Sequence, residues 1–416
     1  MIKKIKVEQL KPGVFVHDFN CGWLHHPFLA DRTKLKTDKD ITKVLKYGIR
    51  ELYIDTEKGL DIDDAPSAQE AQQKLQTELD QLASIPTGHQ DTATVGDEIV
   101  RAKQLIGEAK RATKKLMHDV KLGKRMEMSQ VETIVDKMTE SVLRNGDALV
   151  SLLRIKDVDE YTYLHSMAVS ALCISFGQGL DLDAAQIKQI GIGGLLHDIG
   201  KMNVPLDILN KPGPLSDKEF EIMKRHVKDG ESTLQEYPNL DQSCTCVTSH
   251  HHERLDGTGY PEGLNGDQIS LFGQIAAIVD IYDALSSERC YKKAMTPTEA
   301  LRKLFEWSQS YLNRELVEKF VAHLGIYPIG TLVRLENSLL AVVVAPAEDS
   351  LLYPIVRVVY DTKNAKRLMP FEIDLGRQHR AGNACAIVSC ESGEKWQIRP
   401  VDYLLGNSPA RRAWDN

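Results

Sequence analysis

Apolar residues recur at helical spacing through the centre of the chain. Three stretches there place an apolar residue at every third or fourth position, namely residues 131–143, 161–176 and 184–198. Ser216 and Thr296 each stand three positions before a glutamate, a pattern typical of the capping box that opens a helix. β-type alternation is scarce between residues 129 and 325. The pattern therefore predicts one helical domain over residues 129–325.

Both ends of the chain combine shorter β-type runs with polar turns. Residues 1–65 carry β-branched runs around a helix that Asp38 can cap and that runs through Lys46 to stop at Gly48, which predicts a small α/β domain. Residues 66–128 are polar with helical periodicity and predict a helical linker or arm. Residues 326–416 carry β-branched runs broken by Pro, Asp and Asn, which predict a small β-rich C-terminal extension and a polar tail. The predicted fold class is mainly α.

Length, charge and cysteine content limit the classes of function. At 416 residues the chain is too long for one compact core and suggests two or three domains. Its formal net charge of −7 gives no general positive field, so we expect no binding to a nucleic-acid polymer. No run is long enough to span a membrane, and the N-terminus lacks the apolar core of a signal peptide. Seven scattered cysteines fit reduced thiols, so we predict a cytoplasmic protein without membrane insertion.

Basic residues are concentrated in one helical stretch, residues 99–117. We interpret this stretch as the solvated face of a connecting or homodimer-forming helix. Binding of an acidic partner is the alternative interpretation of the same charges.

Histidines gather in the helical centre, near the ends of helical patterns. Six of the thirteen histidines in the chain belong to this group: His165, His197, His226, His250, His251 and His252. Asp198 follows His197 directly, and Asp280 lies in an apolar segment where a lone carboxylate is costly to bury. Asp283 lies on the same helical face as Asp280, and a buried salt bridge is the alternative role for this pair. A helical bundle is well suited to bring such ligands together, so the sequence predicts a metal site.

The types of ligand narrow the choice of metal. Imidazole and carboxylate together suit Fe, Mn, Ni, Co or Zn better than Ca or Mg. Asp280 completes a set of seven ligands that leaves out His250, and this set is too large for one ion and fits two bridged divalent ions. Two metal ions about 3.5–4 Å apart are a recurrent arrangement for phosphoester hydrolysis.

A glycine-punctuated loop follows the last histidine pair. Gly257 and Gly259 let the backbone turn tightly and approach a ligand closely, and Tyr260 offers a ring for stacking on a base. An ordinary turn is the alternative for these glycines. Arg289 and Lys292 are candidate phosphate clamps, although isolated cations are more often surface charges. We therefore predict a pocket for an anionic, base-containing substrate.

These motifs resemble those of the HD-GYP family, a subgroup of the HD phosphohydrolases. The resemblance rests on His197-Asp-Ile-Gly-Lys201 and on the run from His251 to Pro261, with flanking motifs at residues 161–166, 280–285 and 289–292. It covers residues 130–325, and residues 1–60 also resemble an accessory domain found before such domains. The resemblance implies an HD-type helical bundle and a phosphodiesterase that hydrolyses cyclic di-GMP to linear pGpG, with further cleavage to GMP left open.

The resemblance also implies roles for individual residues. The implied metal ligands are His165, His197, Asp198, His226, His251, His252 and Asp280. Asp198 is expected to bridge the two ions and, with Lys201 and Asp283, to act in catalysis. The implied substrate contacts are Lys201, Gly257, Gly259, Tyr260, Pro261, Asp283, Arg289 and Lys292.

Two positions depart from the family pattern. Tyr161 stands where some members have a glutamate that supplies a third metal, so we expect two ions, with Fe or Mn favoured and Ni, Co or Zn as alternatives. Gln274 stands where arginine is common, and we expect it to alter a salt bridge or the pocket rim without touching the metals.

Two alternative functions stay open from the sequence. The first keeps the chemistry and changes the substrate to a related cyclic dinucleotide such as cyclic GMP-AMP. The second is a non-catalytic receptor that binds cyclic di-GMP or docks a diguanylate cyclase as its partner. The intact ligand set favours an enzyme, because a receptor needs no such set.

Overall fold

The structure is a computed structural model, and its helical centre and β-containing ends follow the predicted fold class. It describes residues 1–21, 32–82, 93–154, 161–211, 213, 215–287, 294–346, 350–383 and 385–404. Arg289 and Lys292, and the break predicted near Pro86, lie outside the described residues.

An antiparallel sheet and one helix form the N-terminal domain. The strands are ordered β1-β4-β2-β3, with α1 connecting β3 to β4. The bounds are β1 (Ile2–Lys6), β2 (Phe15–Asp18), β3 (Thr33–Lys34), α1 (Asp38–Lys46) and β4 (Glu51–Asp55). The predicted cap, Asp38, is wrong by one position, because the side chain of Thr37 caps the helix by accepting from the backbone NH of Asp40. After α1, Gly48 adopts a φ of +70°, which a residue with a side chain adopts only under strain.

Three long helices connect this domain to the centre. They are α2 (Ala68–Leu82), α3 (Val95–Lys121) and α4 (Met128–Leu153). Apolar residues of α2 and α3, such as Leu75 and Met117, are buried in the same core as those of α4. The fully buried carboxylate of Glu98 on α3 accepts from Ser141 and Arg144 on α4. The predicted linker or arm is therefore packed against the bundle along one face.

The central bundle is built of helices in the described part of the chain. Its members are α5 (Tyr161–Gly179), α6 (Ala184–Leu196), α7 (Leu206–Leu209), α8 (Asp217–Gln235), α9 (Gln242–His250), α10 (Leu271–Ser286), α11 (Pro297–Trp307) and α12 (Arg314–Leu324). The capping boxes predicted at Ser216 and Thr296 open α8 and α11. Gly194 lets α6 approach α5 closely, since a Cβ at this position would lie 3.0 Å from the Cα of Ser170.

A second antiparallel sheet follows the bundle, in the order β8-β7-β6-β5-β9. Its strands are β5 (Leu332–Leu335), β6 (Leu339–Ala345), β7 (Ile355–Asp361), β8 (Lys366–Asp374) and β9 (Ile387–Cys390), and the short helices α13 (Leu375–Arg380) and α14 (Gly393–Trp396) accompany them. The sheet has its own apolar cluster, centred on Val342 and Val358. None of the helices in the described part of the chain is both long and apolar enough to cross a membrane.

Candidate metal centre

Five helical elements bring the seven predicted ligands together. His165 lies on α5, His226 on α8 and Asp280 on α10, all within the helices. The other four follow helix ends: His197 is the C-cap of α6 with Asp198 after it, and His251 is the C-cap of α9 with His252 after it. Because the chain leaves both helices at these points, two consecutive side chains can face the same cavity.

Asp198 lies at the centre of the cluster, and its two carboxylate oxygens face different ligands. Oδ1 is 3.4 Å from Nε2 of His226 and 3.8 Å from Nε2 of His251. Oδ2 is 3.3 Å from Nε2 of His197 and 3.6 Å from Nε2 of His165. This is the geometry expected of a carboxylate that bridges two ions.

The donor atoms divide into two neighbouring groups. Asp198, His226, His251 and His252 offer four atoms that all lie within 4.8 Å of one another, and His165, His197 and Asp280 offer three more. In the second group, Nε2 of His165 lies 3.0 Å from Oδ1 of Asp280. Each group has the mixed imidazole and carboxylate composition that suits a transition-metal ion.

Local backbone contacts orient three of the imidazoles. Nδ1 of His197 donates to the carbonyl of Gly194 (2.8 Å), and Nδ1 of His251 donates to the carbonyl of Thr248 (2.8 Å). His226 makes the same contact with Met223 three residues earlier, at 2.7 Å. A proton on Nδ1 leaves the lone pair on Nε2, which therefore points into the cluster as a ligand atom.

Four atoms of this cluster are buried without a hydrogen-bond partner among the described residues. They are Nε2 of His197, His226 and His251, and Oδ1 of Asp198. An unsatisfied buried polar atom is costly, and metal ions bound between these four atoms would satisfy them. The donor set thus fits divalent metal ions on the evidence of these atoms alone.

Burial sets the protonation of the ligands. Desolvation lowers the pKa of His226 to about 4 and that of His251 to about 3, so both rings are neutral at pH 7. Burial alone would raise the pKa of the Asp198 and Asp280 carboxyls, but the neighbouring histidines hold both well below their usual range, and Lys201 adds to this at Asp198. Neutral imidazoles and ionised carboxylates are the forms that bind metal.

Asp283 contacts the predicted ligand His165. Its completely buried carboxylate lies 2.6 Å from Nδ1 of His165, whose Nε2 faces Asp280. The two carboxylates of α10 thus meet the two nitrogens of one ring. The contact of Asp283 with a substrate phosphate stays a prediction.

Lys201 lies at the edge of the cluster, as its spacing from His197 predicts. Its ammonium contacts Oδ2 of Asp198, and its side chain keeps 23% of its exposure. The 3-10 segment Ile199–Asn203, which carries it, begins immediately after Asp198. The lysine is therefore both bound to the bridging carboxylate and open to solvent, where an anionic group can reach it.

The loop after the histidine pair is folded tightly around Glu253, which the sequence interpretation did not single out. The buried Glu253 carboxylate accepts three backbone NH groups, those of Glu262, Gly263 and Leu264, at 2.8, 3.2 and 2.9 Å. Gly259 lies so close to the backbone of Arg254 and Glu253 that no Cβ fits there. The only available signal for Glu253 was its place directly after two ligands.

Tyr260 lies against a metal ligand. Its ring stacks on that of His252, with centroids 4.7 Å apart and planes 29° from parallel, and it meets the edge of Phe220 at 6.2 Å. Gly257, at a φ of +74°, turns the chain ahead of it, and the half-buried Pro261 follows it. Of the predicted loop residues, Tyr260 therefore borders the cluster, and Gly257, Gly259 and Pro261 belong to the loop that carries it.

Two residues weighed in the sequence lie outside the cluster. Nδ1 of His250 lies 3.1 Å from Oγ of Ser270 and accepts the Ser270 backbone NH at 3.2 Å, at the start of α10. Gln274 donates to the carbonyl of Ile269 (2.8 Å) and accepts from Asn313 (2.9 Å), so it ties α10 to the start of α12. Neither side chain contacts a ligand.

Comparison with known proteins identifies the family. The family description "Domain of unknown function (DUF3391)" matches residues 2–131, and "HD domain" matches residues 132–316. The cyclic di-GMP phosphodiesterase PA4108 of Pseudomonas aeruginosa is 38% identical over 406 residues, which cover 97% of this chain and 95% of that protein. The 3'3'-cGAMP-specific phosphodiesterase 1 of Vibrio cholerae is 39% identical over 156 residues, 36% of each chain.

A solved structure gives a weaker likeness. The alignment with Bd1817, an HDG"Y"P protein from Bdellovibrio bacteriovorus, covers 77% of this chain and 98% of that chain, at 18% identity and a TM-score of 0.46. The full-length match to the Pseudomonas protein and the HD-domain match over the ligand-bearing helices agree with the motifs read from the sequence. On that evidence, this chain belongs to the HD-GYP family of cyclic di-GMP phosphodiesterases.

Proposed function

We propose that this protein is a metal-dependent phosphodiesterase that hydrolyses cyclic di-GMP to linear pGpG in bacterial second-messenger signalling. The observation that carries the proposal is the bridging position of Asp198, whose oxygens face two separate donor groups. The similarity to the full-length Pseudomonas enzyme supports the substrate. Further cleavage of pGpG to GMP stays a prediction.

The seven predicted ligands would hold two divalent ions, with Asp198 between them. His226, His251 and His252 would hold one ion, and His165, His197 and Asp280 the other. The mixed donors favour Fe or Mn over Ca or Mg. When bound, such ions polarise a phosphate and lower the pKa of a coordinated water, which supplies a nucleophile at neutral pH.

The remaining residues would bind and orient the substrate. The ammonium of Lys201, beside Asp198 and still open to solvent, is placed to attract the phosphate oxygens and to stabilise the charge that develops on them. Tyr260 would present to a guanine the ring face that does not stack on His252. The ammonium of Lys224 also lies over the Tyr260 ring, 5.9 Å from its centroid. Arg289 and Lys292 are proposed as further phosphate contacts from the sequence alone.

Asp283 has a different proposed part from the one its sequence suggested. Through its contact with Nδ1 of His165, it would fix the orientation of that ring and increase its basicity as a ligand. It is therefore a positioning residue for the metal centre in this proposal. The proton on the departing 3′-oxygen would come from solvent or from a group at the open side of the cluster.

Cyclic GMP-AMP is the alternative substrate. The Vibrio relative named for that dinucleotide is as similar as the Pseudomonas enzyme, but over 36% of the chain only. The two substrates differ in one base, so discrimination depends on contacts at the rim of the pocket, near Tyr260. A diguanylate cyclase partner and a homodimer, predicted from the family and from the basic helix, stay predictions.

The test is hydrolysis by protein purified without air and analysed for bound metal. We expect cyclic di-GMP to be converted to pGpG, and the activity to disappear with chelator and return with Mn²⁺ or Fe²⁺. Competition between cyclic di-GMP and cyclic GMP-AMP in one reaction decides the preferred substrate. A metal-loaded protein that binds cyclic di-GMP but hydrolyses neither dinucleotide would contradict the proposed phosphodiesterase activity and favour the non-catalytic receptor.

A further inference from the structure

The N-terminal domain reaches the loop that borders the metal centre. Nε of Arg50 donates to Oδ2 of Asp256 at 3.0 Å, and the Arg50 backbone NH donates to the hydroxyl of Tyr311, also at 3.0 Å. A Cβ built on Gly48 would lie 2.5 Å from the Cβ of Thr258. Two residues that follow α1 therefore touch the loop only a few positions before Tyr260.

Inside the loop, Asp256 links these contacts to the turn. Its Oδ1 accepts the backbone NH of Thr258 at 3.1 Å and the Thr258 hydroxyl at 2.6 Å, while its Oδ2 faces Arg50. The loop is also held from within by Glu253. Asp256 thus binds the turn that leads to Tyr260 through one carboxylate oxygen and Arg50 of the N-terminal domain through the other.

A second path runs through aromatic rings. Tyr47, the C-cap of α1, stacks on Phe220 with centroids 6.1 Å apart, and Phe220 meets the edge of Tyr260. The hydroxyl of Tyr47 also donates to Asp217 at 2.7 Å, at the start of α8. The segment Tyr47–Arg50 therefore approaches Tyr260 from two sides.

The N-terminal domain is anchored firmly enough to hold the loop. Glu306 on α11, which is 6% exposed, accepts from Tyr53 (2.7 Å) and Asn20 (3.0 Å), and pairs with Lys4 at 3.0 Å. Trp307 donates to Asn20 at 3.2 Å. A buried, fully bonded network of this kind fixes the sheet relative to the bundle, so the segment after α1 is a rigid support.

We propose that residues 47–50 are a positioning element for the substrate loop, so that the N-terminal domain contributes to the affinity of the enzyme for its dinucleotide. The proposal rests on the proposed function for its kinetic part. Arg50 and Gly48 touch neither ligands nor substrate and act through Asp256 and Thr258. Loss of their contacts lets residues 253–264 move and disorders the face that Tyr260 offers to a base.

The first test compares two cations of the N-terminal domain. Arg50→Ala removes the pair with Asp256, in which the side chains are 44% and 13% exposed. Lys58→Ala removes a pair with Asp55 of similar exposure, 55% and 8%, which lies within the domain. We expect Arg50→Ala to raise KM up to about fivefold and to leave kcat and metal content unchanged. A fivefold change is the largest that a partly exposed ion pair usually gives, and Lys58→Ala should leave KM unchanged.

Asp256→Asn separates the ion pair from the turn. It keeps Oδ1 for Thr258 and removes the charge that faces Arg50. In the Asp256→Asn background, we expect Arg50→Ala to have little further effect on KM. In the protein that keeps Asp256, Arg50→Lys retains the positive charge, so its KM should lie much closer to that of wild type than the KM of Arg50→Ala does. Equal effects of Arg50→Ala in both backgrounds would show that Arg50 does not act through Asp256.

The second test compares two glycines with the same backbone strain. Gly48→Ala and Gly123→Ala both introduce a side chain at a φ near +70° (+70° and +71°), but only the first meets a neighbour, since nothing lies within 4 Å of a Cβ at Gly123. We expect KM to rise at least about tenfold in Gly48→Ala, because small displacements of a binding loop are costly, and to stay unchanged in Gly123→Ala.

Hydrogen exchange makes the outcome independent of turnover. Backbone amides of residues 253–264 should exchange faster in Arg50→Ala and Gly48→Ala than in wild type, and at the wild-type rate in Lys58→Ala and Gly123→Ala. Unchanged exchange in that loop would overturn the proposal. If the wild type hydrolyses no cyclic dinucleotide, the proposed function fails, and the exchange rates alone decide whether the domain holds the loop.

Discussion

The metal cluster and the loop beside it are built in opposite ways. The cluster is buried, with His197, His226 and Asp198 at 1% exposure or less, and three of its imidazoles are oriented by carbonyls three residues earlier in the chain. The loop is half-buried and is held by a carboxylate within it and by Arg50, a residue 206 positions away in the sequence.

This difference separates two demands on the enzyme. Metal ligands must converge within tenths of an ångström, and rigid helices with short back-bonds to their own carbonyls achieve that. A substrate loop must hold one conformation and still leave one face accessible to the dinucleotide. Support from a second domain allows both, because Arg50 contacts the loop at Asp256 and not at Tyr260.

Asp198→Ala should have the largest effect, because it removes the carboxylate shared by the two donor groups. We expect loss of both ions and a fall in activity of at least about a thousandfold, measured by elemental analysis and hydrolysis. His250→Ala is the matched control, since His250 contacts Ser270 and lies outside the cluster. An active Asp198→Ala protein that keeps both ions would refute the bridging role.

Asp283→Asn should weaken the metal centre without abolishing the chemistry. Loss of the charge behind His165 is expected to lower metal affinity about 10- to 100-fold, with activity recovering at high metal concentration. Metal titration of the chelated protein measures this. If activity stays low with metal affinity unchanged, Asp283 acts on the substrate, as its sequence position first suggested.

Glu253→Gln should act on the loop and leave the metals in place. Because an amide nitrogen replaces one acceptor oxygen, at least one buried backbone NH loses its partner, which lowers the free energy of unfolding by about 1–3 kcal/mol and raises KM. Denaturant unfolding and steady-state kinetics measure the two effects. Glu262→Gln is the control in the same loop, because the side chain of Glu262 forms only an exposed ion pair with Lys228 of α8 among the described residues. It should change neither the free energy of unfolding nor KM.

The stability of the metal-free protein should depend on pH through His226. Burial lowers the pKa of His226 to about 4 in the folded metal-free protein, while an unfolded histidine titrates near 6.5. As pH falls from about 6.5 to 4, the unfolded state therefore binds a proton that the folded state does not, and stability declines. Metal-free His226→Gln should lose less stability over this interval than wild type in urea unfolding at each pH; an equal loss would contradict the burial effect.

Much of the fold followed from the sequence because local patterns specify helices. Helical spacing and the boxes at Ser216 and Thr296 located α8 and α11, as local hydrogen bonds decide where a helix begins. The predicted cap of α1 was displaced by one residue because Thr37 and Asp38 are both good caps, and the choice depends on which side chain reaches the third helical NH.

The ligands of the cluster were also recognisable, because metal chemistry restricts which residue types can serve. The contact of Asp283 with His165 could not be predicted, because the sequence spacing fixes the helical face of Asp283 but not which side chain that face meets. The support from Arg50 and Gly48 could not be predicted, because it depends on how two domains pack. Nothing in the sequence around Gly48 indicates that Thr258, more than 200 residues away, packs against it.

The central claim is that two ions lie on either side of Asp198. Anomalous X-ray diffraction from crystals of the anaerobically purified protein tests it directly, since each ion gives its own peak. We predict two peaks per chain about 3.5–4 Å apart, one beside His226 and His251 and the other beside His165 and His197. A single peak, or metal bound away from Asp198 in an active enzyme, would contradict the account.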